Sequence, residues 1–147
     1  LLSGHKLSGL CLRLQDGAHH IVDSSELAFY LATQGAIKQV FEEGAWQILE
    51  PIMAVEVVVP EEYQGAIIGH LNKRQGIITG IDGNDNWSTV TAEIPLNNMF
   101  GYITELRSAT QGKGEFTMEY SRYSPTTPDV QEKLVLAYQE SMGILPQ

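Results

Sequence analysis

Two adjacent histidines, His19 and His20, are the first residues of this chain whose type invites chemistry. Imidazole binds metals and moves protons near neutral pH. Neighbours on a strand point to opposite faces, and no acid or cysteine cluster completes a ligand set beside them. The pair therefore reads as loop residues rather than a metal site. Cys11 is the only cysteine, so neither an intramolecular disulfide nor a cysteine-based zinc site can form. The chain holds no Gly-x-x-x-x-Gly-Lys-Ser/Thr phosphate loop, which excludes that route to GTP. Gly112 and Gly114 follow a helical pattern rather than a strand, so they read as a helix stop and not a dinucleotide fingerprint. No Ser-His-Asp spacing stands out. No catalytic residue and no metal ligand is assigned. The cations Lys73 and Arg74 fall in a last helical turn, where they complement the helix dipole. Arg107 lies off the apolar stripe of its helix and is open to an ion pair with a neighbour such as Glu115, or to an external contact.

The whole chain has 147 residues and a formal net charge of −9. The acid excess is spread along it: six acids against three bases in residues 1–50, nine against five in 51–123, and three against one in 124–147. No basic tail or stripe exists, which argues against nonspecific nucleic-acid binding through many phosphates. Any RNA contact must be local and read shape. No apolar run approaches the roughly 18–20 residues that span a membrane. The chain begins Leu-Leu-Ser-Gly, with no initiator methionine, so a fragment of a longer protein is expected.

The elements that must position these residues follow from periodicity. Leu10, Leu12 and Leu14 alternate as a half-buried strand, Asp16-Gly17 signals a turn, and His19 to Val22 returns as a short strand or loop. Asp23-Ser-Ser-Glu26 resembles a capping box, opening a helix from about Ser24 to Glu43 with Ala28, Leu31, Ala32, Ala36 and Val40 on its apolar face. Trp46 to Leu49 is a further extended piece. After Glu50-Pro51 the pattern becomes regular. Met53 to Val59 is a strand, Pro60 opens a helix ended by Gly76, and Ile77 to Ile81 is a strand. Gly83 to Asn86 is a loop, and Val90 to Ile94 a strand. Asn97 caps a helix carrying Met99, Tyr102, Ile103, Leu106 and Thr110, and Phe116, Met118 and Tyr120 alternate as the last strand. The order βαββαβ over 51–123 is a ferredoxin-like sandwich. Residues 124–147 read as a linker and a C-terminal helix from Asp129 to Met142. Residues 1–50 bury too little surface for an independent core. They read as the end of an incomplete β-α-β domain whose first strands precede Leu1. The fold class is α+β.

Several segments carry a resemblance. Ile94 to Tyr120, Glu50-Pro-Ile-Met-Ala-Val-Glu-Val57, Met99-Phe-Gly-Tyr102, Leu106-Arg-Ser108 and Thr117-Met-Glu119 look like the C-terminal signatures of elongation factor G. That family comprises GTPases that move tRNA and mRNA through the ribosome. Ser3 to Gly9 and Met118 to Tyr123 look most like its mitochondrial type. The resemblance implies that residues 1–50 end a tRNA-mimicking fourth domain, whose tip loop holds Gly17, His19 and His20 at the small-subunit decoding centre. It implies that 51–123 are the fifth domain, near the sarcin–ricin loop and stalk base. Asn72-Lys-Arg-Gln-Gly76 resembles an rRNA-contacting Asn-Arg-Arg-Arg-Gly run, with Gln75 in place of a third arginine. Lys73, Arg74, Arg107 and Lys113 are then rRNA-contact candidates.

By the same resemblance the partners are the ribosome, A- and P-site tRNA and mRNA, with no membrane, and the protein is a monomer. GTP and Mg would belong to an N-terminal domain upstream, so this chain is not itself an enzyme and holds no cofactor. The location implied is the mitochondrial matrix. Two alternatives remain: a ribosome-recycling paralogue, and a ferredoxin-like domain that binds a small regulatory molecule.

Overall fold

The computed structural model describes residues 2–144. It falls into two compact units, each considered by itself. One runs from Ile48 to Thr126; the other joins the residues up to Gln47 with those from Thr127 on.

The central unit holds strands β1 (Leu49–Pro60), β2 (Ile77–Asn84), β3 (Trp87–Pro95) and β4 (Glu115–Pro125), with helices α2 (Gln64–Lys73) and α3 (Tyr102–Ala109). The sheet order is β2-β3-β1-β4, antiparallel throughout. This is the ferredoxin-like arrangement expected from the βαββαβ order. Register follows the alternation: Val55 pairs with Ala92 and Val57 with Val90, and both pairs face the helices. There they bury Ile67 and Leu71 of α2 and Tyr102 and Leu106 of α3, all at 0% exposure. A one-residue slip would turn all of these valines to solvent.

The β2–β3 turn is shorter than Gly83 to Asn86. Asn84 still pairs with Trp87, so only Asp85 (φ 50) and Asn86 (φ 69) form the bend. Two positive φ values make the tight turn whose twist suits a hairpin, and Asx residues tolerate them. On the sheet face away from the helices, Ser121 and Arg122 both hydrogen-bond Glu93 Oε1. They reach it across β1, where Ala54 pairs with Glu93 and leaves room. The register shift in β4 at this point turns both side chains toward the carboxylate.

The expected cap of α3 is not the one observed. Asn97 lies in a single 3-10 turn, Leu96–Met99, and the helix begins at Tyr102 behind Gly101 at φ 76. Gly112 (φ 80) ends the α3 region as anticipated, its N–H donating to Arg107 O at 2.8 Å.

The other unit contains α1 (Glu26–Glu43) and α4 (Pro128–Ser141). Ser25, not Asp23, caps α1, its Oγ accepting from Ala28 N–H at 3.1 Å. Phe41 stacks on Trp46 with ring centroids 4.6 Å apart, while Trp46 Nε1–H donates to Phe41 O at 2.7 Å. Trp46 to Ile48 remains irregular, and the strand expected there starts at Leu49 as β1. The strand expected at Leu10–Leu14 does not form. A ladder needs a second backbone, and none pairs with this segment among the described residues. Leu14 is 91% exposed. For the same reason α1 buries no residue: among the described residues no sheet lies in this unit for its apolar face to cover.

Candidate functional site

The loop before α1 is tied by reciprocal bonds. His20 N–H donates to Ser24 Oγ at 2.7 Å, and Ser24 N–H returns to His20 O at 3.0 Å. Gly17 N–H donates to Asp16 Oδ1 at 2.7 Å. Within the turn, Val22 N–H donates to His20 Nδ1 at 3.3 Å. That bond requires Nδ1 without a proton, so the neutral ring carries its hydrogen on Nε2. The competing ion pair with Asp23 Oδ2, at 3.7 Å, requires a protonated Nδ1. Gly17, His19 and His20 are all exposed. His20 is therefore a surface donor on a loop tied by local hydrogen bonds. His19 and His20 line a shallow depression with Asp23 and Phe29. Among the described residues no cluster of His, Cys, Asp and Glu suits a metal.

The four cations divide between the two ends of the helix layer. Lys73 and Arg74 end α2 beside the start of α3. Arg107, in the last turn of α3, and Lys113, just beyond it, mark the other end of that helix, where Lys113 Nζ is 3.9 Å from Glu62 Oε1, just before α2. The helices are thus antiparallel. Lys73 and Arg107 are exposed, and among the described residues Arg107 makes no ion pair, so the pairing with Glu115 does not form.

Arg74 is placed differently. Its Nε and Nη2 donate to Glu105 Oε2 at 3.0 and 2.6 Å. Its Nη1 donates to Asn98 O at 2.5 Å and Phe100 O at 3.1 Å. The guanidinium lies 5.2 Å from the Tyr102 ring centroid, a cation–π distance. In return, Asn98 Nδ2 donates to Arg74 O at 2.9 Å. The Arg74 hydrogen bonds hold the Glu105 carboxyl below the usual range, with His70 adding positive charge nearby. Burial pushes the Tyr102 hydroxyl up to about 12. Sequence reasoning missed Glu105, Asn98 and Phe100 as partners of Arg74. They lie 24 to 31 residues away, and no local pattern announces such a meeting.

Comparison with known proteins adds the decisive observation. A family model described as "Elongation factor G C-terminus" matches residues 47–134, and one described as "Elongation factor G, domain IV" matches residues 1–45. The chain belongs to the elongation factor G family. Relatives named "Elongation factor G, mitochondrial" from Drosophila mojavensis and Drosophila grimshawi are each 72% identical over 98% of this chain. The chain spans 19% of the length of those relatives. A crystal structure from Thermus thermophilus matches with a TM-score of 0.75 and 35% identity, over 85% of this chain and 19% of that one. In elongation factor G terms, the junction of the two family matches falls between residues 45 and 47, just ahead of β1. The C-terminal match carries the whole ferredoxin-like unit and the first half of α4.

Proposed function

We propose that this chain is the ribosome-contacting C-terminal region of a mitochondrial translation elongation factor that promotes tRNA–mRNA translocation. The observation that carries the reading is 72% identity, over nearly the whole chain, to relatives named "Elongation factor G, mitochondrial". Residues 1–50 end the tRNA-mimicking fourth domain, 51–123 form the fifth, and 124–147 supply a linker and terminal helix. The exposed Nε2–H of His20 suits a hydrogen bond to RNA in the decoding centre, where tRNA and mRNA are paired. Exposed Lys73, Arg107 and Lys113 suit phosphates of large-subunit rRNA near the sarcin–ricin loop and stalk base. Such contacts position a protein on RNA and weaken with salt.

By its likeness to the elongation factor G relatives, the intact protein holds GTP and Mg in an N-terminal domain. Hydrolysis there drives the cycle; this region directs it by docking. The matrix of the mitochondrion is the working compartment, and the protein acts as a monomer.

The test is made on the intact parent protein with mitochondrial ribosomes. The parent advances mRNA by one codon in a toeprinting assay, and His20→Ala slows that step while leaving ribosome-stimulated GTP hydrolysis near the unsubstituted rate. Subunit splitting without codon movement would replace this reading with ribosome recycling. Saturable binding of a small metabolite without ribosome affinity would replace it with a regulatory domain.

A further inference from the structure

Phe100 is 74% exposed, yet its loop is tied by several side-chain hydrogen bonds. Arg74 grips the carbonyls of Asn98 and Phe100, Asn98 grips Arg74 and the Gln75 side chain, and Gly101 turns the chain away at φ 76. These bonds hold the backbone from which the ring projects. We propose that Phe100 is a stacking platform for an unpaired base of large-subunit rRNA, and that Arg74 is the positioning residue that presents it. The inference rests on the ribosome-binding reading and deepens it.

Three observations favour a base over an apolar protein pocket. The ring is presented on fixed backbone, as stacking platforms for single-stranded RNA are. The exposed surface that continues from it along α3 holds Ile103, Thr104, Arg107 and Ser108, so a cation and hydroxyls accompany the ring rather than further aromatics. Exposed Lys73 adjoins Arg74 in sequence and supplies a second cation beside the clamp. Arg74 itself has its donors directed to protein acceptors and a ring, so it reaches RNA through Phe100 rather than through phosphate.

Ribosome affinity of the intact parent is measured across a salt series for Phe100→Ala, Phe100→Leu, Phe100→Trp and Arg74→Lys, and for Phe100→Ala combined with Arg74→Lys. Melting is recorded for each. Phe100→Ala weakens binding about tenfold, as loss of one stacked base does, with unchanged melting. Phe100→Trp retains affinity and Phe100→Leu loses it. Arg74→Lys weakens binding by a similar factor, and the double variant is no weaker than either single one, the signature of two residues acting through one contact. The salt slope stays that of the unsubstituted protein.

Retained affinity in Phe100→Leu would overturn the base in favour of an apolar pocket. Additive losses would overturn the positioning role. If Arg74→Lys unfolds the protein, Glu105→Gln takes its place, with the same non-additivity expected. An unsubstituted parent that fails to bind ribosomes overturns the underlying function reading, and is distinguishable from all of these.

Discussion

The Arg74 guanidinium and the Glu105 carboxylate join the end of α2 to the middle of α3, with Nη2 only 2.6 Å from Oε2. The pair is largely shielded, at 19% and 31% side-chain exposure, and the same guanidinium serves two backbone carbonyls. Removing it leaves a carboxylate and two carbonyls without their donor. Arg74→Ala is expected to lower unfolding free energy by about 2 kcal/mol, the range for hydrogen bonds to charged groups, read by urea denaturation of the intact protein. A loss no greater than that of an exposed pair, under about 1 kcal/mol, would show that the clamp is not a structural element.

The same pair gives a pH dependence whose sign is fixed. Glu105 is held low by Arg74 hydrogen bonding, so the folded state binds its proton less readily than the unfolded chain does. The stabilisation is fully present above the unfolded carboxyl value of about 4.3 and is lost as pH falls through the folded value. The stability gap between the unsubstituted protein and Glu105→Gln is therefore expected to be widest near neutral pH and to close on acidification below about 4. Denaturation midpoints measured at several pH values would contradict this if the gap were constant.

Tyr102 titrates at the other extreme. Its hydroxyl is buried without a hydrogen-bond partner among the described residues and its value is pushed up to about 12. Its neutral form is favoured in the folded state, so its contribution is intact below about 10 and declines as pH rises toward 12. Phenolate absorbance should show one tyrosine of the ferredoxin-like unit lagging the exposed ones. Tyr102→Phe removes an unpaired polar atom and is expected to be neutral or slightly stabilising; a loss above about 1 kcal/mol would reveal a bonded hydroxyl.

Gly114 closes the turn between α3 and β4 at van der Waals limits. Its N–H donates to Thr110 Oγ1 at 2.8 Å, and a Cβ there would lie 2.8 Å from that oxygen and 2.9 Å from Leu106 Cδ1. Both neighbours are fully buried and have little room to give. Gly114→Ala is expected to destabilise by about 1–3 kcal/mol, as overpacking does, whereas Gly69→Ala on α2, where a Cβ meets nothing within 4 Å, should not destabilise. Equal melting temperatures for the two variants would refute the steric account.

The strands Met53–Val59 and Val90–Ile94 were legible because alternation is local: every second residue must reach one face, and the valines say which. Gly112 was legible for the same reason, since a positive φ favours one residue type wherever it falls. Within the site, sequence placed His20 on a loop and the cations at helix ends. It misjudged the starts of α1 and α3. Ser25 rather than Asp23 accepts the first helical N–H, and α3 begins only after Gly101, with the preceding carbonyls of Asn98 and Phe100 bonded to Arg74. What Leu10, Leu12 and Leu14 would do also lay beyond the pattern: alternation makes a segment fit for a strand, but only a partner backbone makes it one. Tertiary structure likewise turned Arg74 from an expected surface cation into an internal clamp. Residue type sets how many donors a side chain has; distance across the fold sets which acceptors they meet.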